Sequence, residues 1–452
     1  MCSAMMLARD GHQVTVLESD ADPAPETPGR AWEAWMRRGV AQFRQPHSLF
    51  ARSRRVLDTE LPGLTDRLAA AGCVWVDFLD GLPPTLSDTA PRPGDEAFRF
   101  VTGRRPVIET VMAGAAAEQP GLTIRRGVRV AGLLAGSAAM AGVPHVAGVR
   151  TEAGEEIRAD LVVDAMGRRS PARRWLTVLG ARDPLVESED KGFVYYTRYF
   201  TGPNRPRRIG RALVPMGSFS LLTLDSDNDT WSVTLFATTG DKPLKALRNP
   251  EVFSRVVAAC PLQAHWLDGQ PITDVLAMAG VIDRYQRFVV DGVPVATGFA
   301  AIGDAWACTN PSAGRGMSVG LVHAQELRAV VGDTLADPSK FALAFDERTE
   351  AVVAPFYRNQ VAADRARIAE MTAIRDGREP PRSESIMARF VASAAYDPDV
   401  FRGLIETVLC MALPQEVLER PGIRDKIEQY GDAEPPPTPG PDRGELLRLL
   451  AA

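Results

Sequence analysis

Residues 303–321, GDAWACTNPSAGRGMSVGL, constrain the fold of this chain more than any other stretch. The apolar run from Val295 to Ile302 reads as a buried parallel strand, and the apolar spacing after Met317 reads as a helix. Gly303 and Asp304 therefore stand at a strand end, and Asn310, Pro311, Gly314 and Gly316 make a sharp loop with little side-chain bulk. Glycines let the main chain come close to a ligand, and unpaired N–H groups at a helix start favour partial negative charge by about 0.3–1 kcal/mol. Such a place suits something flat and electron-rich. The same composition also describes a turn that binds nothing.

A flavin meets those requirements: its isoalloxazine ring needs such surroundings near N1 and O2 when reduced, and Asp304 is placed to accept hydrogen bonds from ribityl hydroxyls. Two further segments point the same way. In DLVVDAMGRRSPARRWL, residues 160–176, Asp164 follows a strand and is itself followed by Gly167, Arg168 and Ser170. GHQVTVLESD ends a short strand in Glu18, the position of the acid that holds the adenosine ribose hydroxyls in a dinucleotide fold. In order and spacing these segments resemble the FAD-dependent aromatic hydroxylases and epoxidases related to para-hydroxybenzoate hydroxylase, and the resemblance spans most of the chain. It implies an α/β fold with a Rossmann-like FAD-binding domain interleaved with an antiparallel-sheet substrate domain, and a C-terminal helical region. One departure is Ala165 where the family has glycine after the aspartate, which makes that turn less permissive. GVAQFRQPHSL, residues 39–49, is similar to a family segment that opens a helix near the flavin, with Gln42, Arg44 and His47 in the matching positions. Arg105 matches the arginine at the head of a helix over 103–117. The cofactor-binding set so implied is Glu18, Arg44, Arg105, Val130, Asp164, Gly167, Gly303, Asp304, Pro311, Gly314, Gly316 and Met317.

In that family the chain opens with a strand and a G-x-G-x-x-G turn, about 20 residues before the acid. Counting back from Glu18 leaves no room for them. Met1 to Arg9 read instead as a helix closed at Gly11. The chain is therefore expected to begin inside its first βαβ unit, as a fragment or from a start codon placed too late, with unmatched backbone groups on the flanking strands.

Interleaving assigns residues 1–75, 101–180 and 286–345 to the FAD-binding domain, 76–100 and 181–285 to the substrate domain, and 346–452 to the helical tail. FVYYTRYF, SFSLLTL and WSVTLFATT read as strands separated by turn formers such as Asp225 to Asp229, which predicts a largely antiparallel sheet. Tyr195, Tyr196, Tyr199, Phe219, Trp231 and Phe236 are candidates for a cavity wall there, and each also suits a core. LTIRRGVRVAGL, residues 122–133, reads as a strand pair entering the FAD sheet. PPPTPGP, residues 435–441, reads as a stiff linker.

A net charge of −5, from 57 acidic and 52 basic residues, offers no general attraction to nucleic acid or anionic lipid. Five scattered cysteines without a C-x-x-C pair argue for a reducing compartment and against a disulfide framework or a zinc site. Neither a signal peptide nor a membrane span is read at the N-terminus, so a cytoplasmic enzyme without metal is expected. No Ser-His-Asp or Cys-His arrangement stands out. The resemblance implies that FAD carries the chemistry, with NAD(P)H as co-substrate and dioxygen adding at the flavin C4a, to hydroxylate or epoxidise an apolar or aromatic small molecule. A reductase or dehydrogenase acting on an isoprenoid or saturated ring stays open, since related families share the 303–321 motif. So does an inactive paralogue, given Ala165. A halogenase fits poorly, because Trp32-Glu33-Ala34-Trp35 lacks the Ile-Pro continuation of that group's Trp-x-Trp-x-Ile-Pro segment.

Overall fold

The computed structural model describes every residue except 38, 81, 84, 87, 190, 382–384 and 434–437. In chain order, the elements that position the site are α1 (Cys2–Arg9), β1 (Val14–Glu18), α2 (Pro28–Ala34), β2 (Pro46–Leu49), α3 (Ala51–Glu60), β3 (Val74–Asp77), β4 (Arg99–Arg104), α4 (Arg105–Ala117), β5 (Leu122–Arg126), β6 (Val130–Met140), β7 (Val143–Thr151), β8 (Val162–Asp164), β9 (Phe193–Thr201), β10 (Leu213–Met216), β11 (Phe219–Asp225), β12 (Thr230–Thr238), β13 (Arg284–Arg287), β14 (Phe299–Ala301), α5 (Gly316–Thr334) and α6 (Ala354–Arg375).

Helix α1 buries Met5 and Met6 and stops before Gly11, whose φ of +94° turns the chain into β1. β1 pairs in parallel with β5, Val14 opposite Leu122, and β8 pairs in parallel with β14, Val162 opposite Phe299. The parallel sheet thus stands in two two-stranded pieces, and among the described residues each strand has a free edge. Val14, Val16 and Leu17 are accordingly only half-buried.

Three expectations about this layer need correction. The run Val295 to Ile302 is wholly buried, yet only Phe299–Ala301 is strand. Gly298 has φ +69°, and Thr297 spends its backbone groups on β7, accepting from Val146 N–H at 2.8 Å and donating to Pro144 O at 3.0 Å. A Cβ on Gly298 would lie 2.2 Å from Val146 O, so this crossing requires glycine. Within 122–133, only β5 joins the parallel sheet, beside β1; β6 pairs with β7 in a separate antiparallel sheet, because the chain turns at Gly127, φ +70°. Gln42 to His47 do not open a helix: His47 lies on β2, which pairs with β4, and α3 starts only at Ala51.

Strands β10, β11, β12 and β9 form the expected antiparallel sheet in that order. Asn228 and Asp229 take φ of +51° and +54° in the β11–β12 turn, a conformation these two residue types tolerate well. Alternation along the strands divides the aromatic candidates between the two faces. Tyr196, Phe219 and Trp231 pack with Phe253, Val256 and Trp266 in a core, while Tyr195 and Phe236 join Phe193, Met278, Cys308 and Met371 on the opposite face. The tail is helical and packs on both faces: Met371 of α6 belongs to the second cluster, and Leu446 and Leu450 close the first. Of PPPTPGP, residues 435–437 lie outside the described residues, and Gly440 packs against Met216. No helix among the described residues is long and apolar enough to cross a membrane.

Candidate functional site

Parallel pairing of β8 with β14 brings two of the three sequence motifs together. Asp164 ends β8 opposite Ala301, its carbonyl accepts Ile302 N–H at 3.0 Å, and the Asp304 Cβ would meet a side chain placed on Gly167 at 3.9 Å. The Asp164 carboxyl accepts Met166 N–H at 2.9 Å and the Ser170 hydroxyl. Burial raises its pKa against these two bonds. Gly303 N–H donates to His323 Nδ1 at 3.3 Å from inside α5. His323 is fully buried against Trp306 and Phe345, and burial pushes it down to about 3, so the ring is neutral. Because Nδ1 accepts, Nε2 carries the proton toward Thr349 Oγ1, 3.2 Å away.

The loop after Asp304 is held at both ends of its Asn-Pro-Ser segment. Asn310 N–H donates to Asp283 Oδ1 at 2.7 Å, the Tyr195 hydroxyl donates to Asn310 Oδ1, and the Ser312 hydroxyl donates to Asp364 Oδ1. Gly314, φ +68°, then turns the chain into α5, whose start has no side-chain cap. Its first N–H groups are left for another acceptor. Between the loop and α5 the cavity is only about 10 Å³, room for a water, whereas a Cβ on Gly303 would meet nothing within 4 Å. A larger ligand therefore belongs on the outer side of Gly303.

That side is cationic. Asp304 is raised by burial and opposed by Arg105, Arg168 and Arg284. Arg284 Nε and Nη2 are buried with no hydrogen-bond partner, as is Arg315 Nε. Orphaned guanidinium donors beside an uncapped helix start match the donor set that a ribityl diphosphate requires. Sequence reasoning missed Arg284; the alternation of Asp283, Arg284, Tyr285, Gln286 and Arg287 along a short strand was its only signal.

Of the remaining implied residues, Arg105 and Met317 border this centre, and Glu18, Arg44 and Val130 have partners elsewhere. Glu18 accepts from Arg37 at 2.5 Å, Arg37 also reaches Glu109 at 2.6 Å, and Glu109 in turn holds Arg105 at 2.5 Å. These four form one chain of ion pairs, in which burial works against Glu109 but Arg105 and Arg37 keep its carboxyl below the usual range. Arg44 lies 4.7 Å over the Trp32 ring and donates to the carbonyls of Trp32 and Trp35, where α2 ends. Val130 starts β6, and Met317 sits in the first turn of α5. His47 is pushed down to about 3 by burial and by Arg105, and its Nδ1–H donates to Gln45 O at 2.8 Å. Burial pushes the Cys308 thiol up to about 12, which makes it an inert packing group.

On the antiparallel sheet, Tyr199 and Ser232 stand opposite each other on β9 and β12, and both hydroxyls are buried without a partner. Trp32 packs edge-on to Tyr199 at 5.0 Å. Arg104, 4.4 Å from the same indole, is bound to Asp227 at 2.6 Å. Among the described residues no group of three or more His, Cys, Asp or Glu side chains could hold a metal ion.

No protein-family model matches the chain. Protein Rv3254 of Mycobacterium tuberculosis is 28% identical over 352 residues, covering 73% of this chain and 70% of that protein. Among solved structures, the flavin-dependent brominase Bmp2 superposes with a TM-score of 0.62 at 15% identity over 96% of both chains. PqsL of Pseudomonas aeruginosa, described as a probable FAD-dependent monooxygenase, does so at 0.58 and 17% identity, over 83% of this chain and 93% of its own. The anhydrotetracycline hydroxylase OxyS of Streptomyces rimosus follows at 0.56 and 17%, over 91% and 74%. The fold is therefore the interleaved α/β architecture of these flavin-dependent proteins, with a C-terminal helical region.

Proposed function

We propose that this chain is an FAD-dependent monooxygenase that uses NAD(P)H and dioxygen to hydroxylate or epoxidise an apolar or aromatic small molecule. The observation that carries the reading is the glycine-turned loop from Asp304 to Gly316, set between two parallel strand ends and an aromatic sheet face, with buried donors that lack partners. FAD, when bound, supplies the redox chemistry and the activation of dioxygen. The protein residues bind, orient and exclude water. Asp304 accepts from ribityl hydroxyls, Arg284 and the first N–H groups of α5 meet anionic oxygens, and Glu18 takes the ribose once Arg37 yields it. Phe193, Tyr195 and Phe236 keep the substrate side dry, and the Tyr199 and Ser232 hydroxyls donate to its polar edge. An aromatic substrate is further supported by PqsL, which was crystallised with 2-aminobenzoylacetate.

The likeness to Bmp2 favours one rival, a halogenating enzyme on the same fold. Titration of the purified chain with FAD, read by flavin absorbance, tests the cofactor. Oxygen and NAD(P)H consumption with aromatic substrates, with and without bromide, then tests the reaction. Substrate-stimulated consumption and an oxygenated product are expected. Failure to bind FAD, or NAD(P)H oxidation with substrate reduced and no oxygen consumed, sinks the proposal, and bromide-dependent product transfers it to the rival.

A further inference from the structure

We propose that the cavity between β3 and the loop joining β9 to β10 binds an adenosine phosphate, with the Trp75 indole against the base, Arg205, Arg207 and Arg208 on the phosphate, and Asp80 and Asp225 on the ribose hydroxyls. The cavity holds about 360 Å³, against about 10 Å³ behind Gly303. That lies within the range of about 300–1,000 Å³ usual for small-molecule sites. None of its lining residues belongs to the flavin-binding set.

Two short segments make the walls and divide the chemistry between them. On β3, alternation buries Val76 and leaves the Trp75 ring 42% exposed. Arg99 and Arg54 stand with Cζ 5.6 and 6.0 Å from the indole centre, at the outer limit of cation–π contact, so neither is stacked on the ring. The facing wall carries three arginines within residues 205–208, and Pro206 fixes the chain direction between them. His265 Nε2–H donates to Arg207 O at 2.8 Å and holds this wall. Asp225, at the end of β11, joins the two, its carbonyl accepting the Thr102 hydroxyl of β4 at 3.2 Å.

Arg208 points most directly to a ligand. Its side chain is only 10% exposed, and its Nε is buried without a hydrogen-bond partner. Its Nη2 stands 3.6 Å from the Asp225 carboxyl and Arg205 Nε stands 3.9 Å from it, both beyond hydrogen-bond contact. A buried guanidinium donor left unpaired is costly, and a phosphate oxygen is the acceptor that suits it. Three arginines alone would take any anion, but Asp77, Asp80 and Asp225 in the same lining repel a bare one. As acceptors they match the donors of a nucleoside, namely the ribose hydroxyls and the adenine amino group. The exposed indole supplies the stacking plane for the base. NAD(P)H carries such a group, and naming it as the occupant rests on the proposed flavin chemistry, while the site itself does not.

Titration calorimetry of the full chain with ADP and with 2′,5′-ADP tests the site. Saturable binding of at least one of them is expected. Trp75→Leu and Arg208→Gln should each weaken it by about tenfold or more, and Glu18→Ala should leave it unchanged. Trp75 is exposed, so Trp75→Leu decides should Arg208→Gln not fold. Absence of binding, or binding that either folded variant leaves unchanged, overturns the proposal. So does binding lost in Glu18→Ala and kept in Trp75→Leu, which places the nucleotide where the flavin adenosine belongs. Displacement of ADP by NADH or NADPH, with a raised KM for that reductant in Trp75→Leu, identifies the reductant as the source. ADP that neither displaces identifies a free adenine nucleotide. Nucleotide binding here without FAD binding defeats only the flavin reading, and FAD binding without nucleotide binding defeats only this site.

Discussion

Replacing Asp227 with alanine should be the most damaging single change at the junction of the two layers. The Asp227 carboxyl is fully buried in the β11–β12 turn, and it accepts Arg104 N–H at 2.6 Å, Arg104 Nε at 3.1 Å and Asn228 Nδ2 at 3.0 Å. Arg104 Nη2 completes the fork at 2.6 Å, and the guanidinium bears on Trp32. Such a pair gains little over apolar side chains of the same size, but removing one partner strands a buried charge at about 3–5 kcal/mol. Asp227→Ala should therefore cost about that much, the Trp32 face recovering at most about 1–2 kcal/mol. Arg104→Met should cost a similar amount by stranding the anion. The double variant should cost only about 1–3 kcal/mol, mainly for the Arg104 N–H left without its acceptor. Urea unfolding followed by tryptophan fluorescence, with Trp32 as the local reporter, gives the double-mutant cycle. A single-variant cost below about 1 kcal/mol, or two single costs that simply add, would refute the reasoning.

Gly148→Ala should cost about 1–3 kcal/mol, seen as a lower melting temperature, because φ is +145° and the new Cβ would lie 2.2 Å from Ile157 O. Ser232→Ala should leave stability unchanged or raise it by up to about 1 kcal/mol, since its buried hydroxyl has no partner, while weakening substrate binding in a titration. Glu18→Ala should change the melting temperature little, because a partly exposed ion pair contributes about 0–1 kcal/mol, but should lower FAD affinity measured by flavin fluorescence. Asp364 is raised by burial to about 7, above its unfolded value, so its contribution to stability is complete below the unfolded carboxylate range and is lost as pH rises through about 7. Melting curves at several pH values should accordingly show Asp364→Asn gaining on the wild type from about pH 4 to about pH 7, and a constant difference over that range would contradict this.

Much of the architecture was legible in the residue order. The α1 helix closed by Gly11, the helix after Met317, the antiparallel strands around Tyr195 and Phe236 and the helical tail all follow from periodicities of 3.6 and 2.0, which are local properties. Apolar continuity misled where backbone direction mattered: Val295 to Ile302 has the composition of one long strand, but Gly298 bends it so that its first half serves β7. Alternation could separate the two faces of the antiparallel sheet without saying which face meets Cys308 and helix α6. That face is decided by what covers the other, namely the core around Phe253, Trp266 and Leu446.

By itself, the sequence determined the strand-end motifs, because a glycine-rich turn and an adjacent acid stand next to one another in the chain and shape one local loop. Only the tertiary structure decided which distant charges meet that loop. Arg284 beside Asp304, Arg37 on Glu18, and Ser312 on Asp364 join residues well separated in the chain. A buried charge or orphaned donor has no local signature, since its energy depends on the partners that folding brings within a few ångströms and on the water that folding removes.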